Sequence, residues 1–563
     1  MKKAVAENMP ERTLTVKLHG LTAMASFNAG SRSLPWSGIP PEGHSSTPSR
    51  VWPSGCGVNR RVHILAILAI SVMIFLAYSS ALGNDFIWDD EFLIRDNTAI
   101  SSFSNTAKIF RTYLAATSGN INNFYRPIQE LSYMTDVFLW GRHPFGFHLT
   151  NIILHVLCAI FLYLLSLKIF NNWLAAFVTA CLFGIHPINT EAVTYIAGRA
   201  DSLYLLFFLI SFTLFLRVAG AAEAGLRTPY VLYALSALFY ALSIISKEIG
   251  LILPLFFILY IVAFRSRPER KKLYPLLVPY AIILLAYVIM RKTVLDFSGI
   301  SPSFIMAKFS LCIRMLTTSK VICVYLFLLA APFGLHMERR IKVADSIFSP
   351  EVILSLAVIL SIAAAIYIFS KKSRMAFFAG LWFFIGLIPV SNIVPINSFI
   401  AEHWLYLPAI GVYMLVGLAC ARFFYGPPGG RSSGASRRVV VSALTCMFIF
   451  FGVVTFERNK DWKDGVTFFK NALKYSPNNA KLHLNFGNVY YYIGRRDDAM
   501  REYNRTIELQ PASPGAYSNI ANVYLSQGNY KMAGEYAKKA LSIKSDLPAA
   551  LEIMRRLKAR EGG

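Results

Sequence analysis

The chain carries a succession of apolar runs, each close to the length of helix that crosses a bilayer. About twenty apolar residues make one crossing. Runs of that order recur at 63–82, 148–168, 173–187, 201–217, 230–246, 249–264, 274–290, 351–369, 376–390, 404–421 and 439–456. Inside lipid a backbone must satisfy its own hydrogen bonds, so these runs are predicted to form an all-α, polytopic helical bundle. Composition agrees, with 55% hydrophobic and only 15% charged residues, against about 25% charged in soluble domains. The net charge of +25 then reflects basic loops and contact with anionic lipid rather than nucleic acid. The seven cysteines (Cys56, Cys158, Cys181, Cys312, Cys323, Cys420, Cys446) form no CxxC. Six lie in or beside apolar runs and read as small core residues.

Charge asymmetry orients the bundle. Arg60 and Arg61 precede the first run, Arg265, Arg267, Arg270, Lys271 and Lys272 follow the sixth, and Lys371, Lys372 and Arg374 sit between later ones. Arg422, Arg431, Arg437 and Arg438 form a further basic loop. By the positive-inside rule all of these are cytoplasmic. They agree with one another only if residues 291–350 make no net crossing. Lys308, Arg314 and Lys320 interrupt the apolar stretch 303–333, so that region reads as an interfacial helix with a re-entrant segment, or as two short spans. The expected count is eleven, or thirteen in the second case. Three domains follow: a Ser-, Gly- and Pro-rich tail, 1–60, read as disordered; a membrane domain, 61–456; and a polar helical domain, 457–563.

The same topology puts loops 83–147, 186–200, 291–350 and 391–403 on the outer side, where the unusual polar residues gather. The first of these opens on Asn84-Asp85-Phe86-Ile87-Trp88-Asp89-Asp90-Glu91, four acidic residues within seven positions at the mouth of a span. Carboxylates beside lipid are costly and usually mark function; the alternative is a hydrated loop charge or a helix cap. Further along, 104–115 and 127–140 show helical spacing of apolar residues and are expected to lie as amphipathic helices on the membrane. Such clustering at one surface argues against a transporter, whose ionisable groups belong near the midplane.

Residues 480–513 and 514–547 align as two 34-residue repeats, pairing Phe486 with Ile520, Gly487 with Ala521, Tyr490 with Tyr524, Gly494 with Gly528 and Ala499 with Ala533. This is the tetratricopeptide (TPR) pattern of stacked helix pairs. Flanking helices are expected at 462–477 and 548–560. So short a stack is expected to lean on the membrane domain and to recruit a protein through its groove. Asn485, Asn488, Asn519 and Asn522 are the groove candidates.

Several strings stand together: NDFIWDDEFLIRDN (84–97), YRPIQELSYMTDVFLWGRHPFGFHLTNIILH (125–155), GIHPINTEAVTYIAGRAD (184–201), SKEIG (246–250) and PVSNIVPINSFIAEHWLYLPAIG (389–411). With the repeats, they resemble the transmembrane and tetratricopeptide-repeat-containing (TMTC) family and its prokaryotic relatives. The resemblance implies a GT-C glycosyltransferase fold, a polyprenyl-phosphate sugar donor, and Ser or Thr of a protein as acceptor, on the outer or luminal side. Few repeats and no eukaryotic-looking extension suggest a bacterial inner membrane, with the endoplasmic reticulum the alternative.

An inverting transfer needs a base for the acceptor hydroxyl and cations for the departing phosphate. Asp89 and Asp90 are the base candidates, where the resemblance also implies the catalytic acid pair. Adjacent carboxylates raise one another's pKa, which suits a base. Arg126, Arg199 and His403 are outer-side cations, each Arg alternatively a membrane-edge residue. His186 would bind phosphate or cap a helix; Glu191 shares its loop. Glu402 and His403 are expected to have a site role. His148, Asn151 and His155 share one helical face and read as a helix contact. Lys247 and Glu248 read equally as a buried pair or a substrate contact. A divalent metal is compatible with this chemistry, but no His or Cys cluster requires one. Two other classes fit less well: an oligosaccharide ligase or polymerase, and a non-catalytic TPR assembly factor.

Overall fold

The computed structural model describes residues 59–118, 123–293, 295, 305–426 and 432–561. The tail expected to be disordered, Cys56 and Arg431 lie outside them, apart from the last residues of the tail. Every regular element among the described residues is helical. Seven helices are long and apolar enough to cross a membrane alone, from Arg60–Gly83 to Gly434–Trp462. Shorter apolar helices, Tyr230–Ser246, Glu248–Phe264, Arg374–Val390 and Ala409–Tyr425, fill the bundle. Trp173–Ile185 and Pro187–Val193 make one apolar element bent by 50°, the break falling at Pro187, which has no N–H to continue the ladder. This is a multi-pass membrane protein.

Small residues bring the central helices together, as in other membrane bundles. A Cβ added at Gly411 would lie 2.4 Å from the Ala379 carbonyl, and one at Gly417 would lie 2.5 Å from that of Ala175. The helix Ala409–Tyr425 therefore nests against Arg374–Leu387 on one side and Trp173–Ile185 on the other. By contrast, Pro350–Ser370 exposes Ile353, Leu354, Leu360, Tyr367, Ile368 and Phe369, the composition of a lipid-facing rim.

Residues 311–350 contain a further apolar helix and its partners. Leu311–Ala330 is a single helix long and apolar enough to cross, and it makes polar contacts along its length. Arg314 donates to Ile393 O (3.3 Å), Thr318 to Ser391 O (2.8 Å), Lys320 to Lys342 O (3.0 Å) and Tyr325 to Ala401 O (3.0 Å). Near its far end the Leu329 carbonyl meets the His186 ring at 3.1 Å.

The loop 83–147 departs from expectation in one place. Pro127–Trp140 is a helix with Pro at its first turn; it buries Tyr133 and Met134 and exposes Phe138, Leu139 and Trp140. But 104–115 holds only one helical turn, Thr106–Ile109. Ser102 takes the Ser104 amide, and Asn105 reaches back to Ala99 O (3.0 Å). Local side-chain bonds of this kind compete with helix formation. Ile109 and Leu114 pack instead into a small core with Leu93, Ile94, Ile100 and Phe147 and with Ile196 of the loop 186–200.

Beyond the last span come Gly465–Tyr475, the pairs Ala480–Tyr492 with Arg496–Leu509 and Pro514–Ser526 with Tyr530–Ile543, and Pro548–Glu561. Gly494 and Gly528, aligned in the sequence, take φ +79° and +77°, the left-handed turn that glycine allows after a helix.

Candidate active site

The acidic run is pinned from both sides. Asn84 donates to Asn459 O (2.9 Å), and the Asp85 amide donates to Lys463 O (2.8 Å), both at the end of the last span. Asp90 then turns inward. Its two carboxylate oxygens accept the backbone amides of Ile87 (3.1 Å) and Ala197 (2.8 Å), and no part of it is exposed. Burial raises its pKa well above the carboxylate range. Asp90 thus braces the loop against 195–198. Asp89, one residue earlier, is half-buried, and its amide donates to the Tyr195 hydroxyl (3.0 Å). Loss of hydration lifts its carboxyl to about 6, against the pull of Lys481, of the Tyr195 hydrogen bond and of Arg126. A carboxylate at that value can take a proton near neutral pH and still be ionised beforehand.

Arg126 of one charged group acts on the Asp89 carboxylate, and a second charged group is built on Glu191 and Glu402. In the first, Arg126 lies over the Phe124 ring (4.5 Å) and pairs with Glu248 (3.2 Å). Arg291 approaches the same carboxylate (3.9 Å) and donates to Asn123 O (2.6 Å). Two guanidinium groups share one carboxylate, leaving net positive charge of the geometry that grips phosphate oxygens. Lys247 and Glu248 do not pair with each other; Lys247 is bound by both oxygens of Asp201 (2.6 and 2.7 Å). Arg291 was not among the sequence candidates.

In the second group, Glu191 takes both the ring Nδ1–H (2.7 Å) and the backbone amide (3.1 Å) of His403. Glu402 is buried and accepts from the His336 amide (2.7 Å) and Arg339 (3.1 Å), with Arg458 at 3.7 Å. Burial raises its pKa to about 7, with Glu191 adding to the rise and Arg458 and Arg339 opposing it. His336, Arg339 and Arg458 escaped sequence reading because nothing local marks their shared partner.

Two expected phosphate ligands are placed in the framework instead. Arg199 is fully buried, paired with Asp136 (2.5 Å), and bonded to Asn151 (2.7 Å) and Phe147 O (2.9 Å). It joins the surface helix to the start of the next span. His186 is equally enclosed: its ring accepts the Ile188 amide (3.2 Å) and donates to Leu329 O, which makes it the helix cap of the two readings. His155 bonds Tyr406 (2.7 Å) and Gly184 O (3.0 Å), a helix contact as expected. In the repeats, Asn488 accepts from Tyr503 (3.0 Å) and from Asn519 of the next repeat (2.7 Å), and Asn522 donates to Tyr491 (3.2 Å). These half-buried asparagines tie one repeat to the next, and Asn485 lies half-buried on the same helix as Asn488.

Models described as "TPR repeat" and "Tetratricopeptide repeat" match residues 487–528 and 514–547. "Protein O-mannosyl-transferase F38B6.6" of Caenorhabditis elegans is 27% identical over 469 residues, 80% of this chain and 63% of the relative. "Protein O-mannosyl-transferase TMTC3" of Homo sapiens is 24% identical over 86% of this chain and 55% of its own length. "Protein O-mannosyl-transferase TMTC1" of Homo sapiens is 26% identical over 87% and 60%. Over most of its length the chain is similar to these named O-mannosyl-transferases. It spans less than two thirds of the length of these TMTC relatives. Among solved structures, ArnT from Cupriavidus metallidurans bound to undecaprenyl phosphate is similar at 12% identity and a TM-score of 0.36, over 82% of this chain and 81% of that one; a likeness of that size carries no argument here.

Proposed function

We propose that this protein is a GT-C glycosyltransferase that moves a sugar, by analogy with its named relatives mannose, from a polyprenyl phosphate to a Ser or Thr hydroxyl of a protein. The observation that carries this reading is Asp89, a half-buried carboxylate held near neutral pKa beside a net-positive Arg126–Glu248–Arg291 group. Asp89 takes the proton of the acceptor hydroxyl as that oxygen bonds to the anomeric carbon. The bond from that carbon to the phosphate oxygen breaks, and its electron pair leaves on the phosphate, whose charge Arg126 and Arg291 stabilise. Asp90 holds the loop in place. Glu191 with His403, and Glu402 with its two arginines, are assigned to substrate binding, while Arg199 and His186 keep the frame.

The reaction is assigned to the outer or luminal side, opposite the basic loops, in a bacterial inner membrane or, alternatively, the endoplasmic reticulum. The repeats are assigned to the protein acceptor. Intact-mass glycoproteomics of cells with and without the protein tests the reading. A set of proteins should lose one hexose when the protein is removed. An unchanged glycoproteome would overturn the proposal in favour of a non-catalytic assembly role.

A further inference from the structure

Asp89 is bounded by two aromatic side chains, and both rest on the part of the chain after the last span. Trp88 immediately precedes it, with φ +51°. A bulky residue in that region is strained by about 1–3 kcal/mol and persists only where its surroundings hold it. Here its ring stacks on Phe469 (5.3 Å between centroids, 25°) and meets Phe468 edge-on (5.5 Å, 83°). Lys481 Nζ lies 5.0 Å over the same ring. Tyr195, which receives the Asp89 amide, stacks on Trp462 (5.3 Å, 26°). Ile87 and Tyr195 belong to one continuous core with Trp462, Phe468, Phe469, Leu482, Phe486, Tyr490 and Tyr503. The acidic run and the first repeat therefore share a hydrophobic core.

A second strut starts from the same helices. Lys481 pairs with Glu338 (2.7 Å), and Tyr475 stacks on the His336 ring (4.4 Å, 7°). The His336 amide holds Glu402. The base of the repeat stack thus touches both the segment that carries Asp89 and the segment that holds Glu402.

We propose that the helices Gly465–Tyr475 and Ala480–Tyr492 are a working part of the active site, with Lys481 a positioning residue that sets the place and electrostatic surroundings of Asp89. The inference rests on the reading of Asp89 as the base. A domain that only recruits an acceptor has no need to stack on the residue beside the base. In this arrangement any tilt of the repeats on acceptor docking moves Trp88 and Lys481 together, which links docking to proton transfer. Lys481 is the cation that most strongly favours ionised Asp89, and Glu338 opposes it.

The test uses the full-length protein in detergent or nanodiscs, polyprenyl-phosphate mannose, and a short Ser/Thr peptide as acceptor. Lys481→Met removes the charge from a side chain that is 59% exposed, so folding is retained, which thermal unfolding verifies. Its acidic limb of kcat/KM should move to higher pH, with transfer roughly threefold below wild type near pH 6 and within about twofold near pH 8. Lys481→Arg should restore the wild-type profile. An unshifted limb, or a loss equal at all pH values, overturns the inference. Asp89→Asn separates the two readings. If it is inactive while Lys481→Met is unshifted, only this inference fails; if it is fully active, the base reading fails and takes this inference with it.

Discussion

The two ends of the repeat stack are built differently. Near the membrane domain the packing is aromatic: Trp462, Phe468, Phe469, Phe486 and Tyr490 continue into Ile87 and Tyr195 of the site loops. At the far end Ala521, Ala533, Ala537, Ile553 and Leu557 form a separate small core with no membrane-domain residue in it. The near end is committed to the site. The far end is held only by its neighbours in the stack, as expected of a repeat array in which each unit touches the next. One domain by sequence pattern thus divides physically into a part packed on the acidic loop and a part held only by its own helices.

Breaking each core should separate these roles. Trp462→Ala removes an almost fully buried ring and should cost about 3–5 kcal/mol; transfer to a short peptide should collapse along with the melting temperature. Leu557→Ala at the far end should cost the last helix about 2 kcal/mol and leave peptide transfer unchanged. Limited proteolysis alongside the transfer assay reads both. Equal losses of peptide transfer would erase the distinction between the ends.

A smaller effect concerns pH. Asp89 must be ionised to act as base, and its carboxyl is lifted to about 6. Peptide transfer by the wild type should hold level above that value and fall about tenfold per unit of pH below it. A limb near the ordinary carboxylate value of about 4 would show that Asp89 is freely hydrated in the working enzyme, and that the near end does not enclose it.

The smallest change is expected in the groove. Asn488→Ala strips the acceptor shared by Tyr503 and Asn519 and should cost about 1 kcal/mol of stability. Transfer to a whole protein should fall while transfer to a peptide persists, because docking raises the local concentration of acceptor. Unchanged protein glycosylation would leave these asparagines as ties between repeats.

How far the sequence could reach follows from the range of each interaction. Apolar length is a local property, so the apolar helices were legible to within a few residues. The repeats were legible because spacing and residue type recur together. Helical spacing at 104–115 misled, because it records apolar positions and not the Ser and Asn side chains that compete for the backbone. His186 and Arg199 looked like ligands because a polar residue in an outer loop carries no mark of whether its partners are protein or substrate. Arg199 meets Asp136 across 63 positions, and Lys481 meets Glu338 across 143; only the fold brings such pairs together. The unequal treatment of Asp89 and Asp90 was equally hidden, since it depends on the amide of Ala197 and the hydroxyl of Tyr195.

That inequality offers the most direct test. Asp89→Asn and Asp90→Asn should be compared for transfer per folded molecule. The account predicts that Asp89→Asn folds normally and loses about 10²- to 10⁴-fold in transfer, the worth of a general base. Asp90→Asn should instead lose about 1–3 kcal/mol of stability, because one of two buried amides then faces a donor, while the molecules that remain folded keep far more of their activity. A folded Asp89→Asn protein with wild-type transfer would contradict the account.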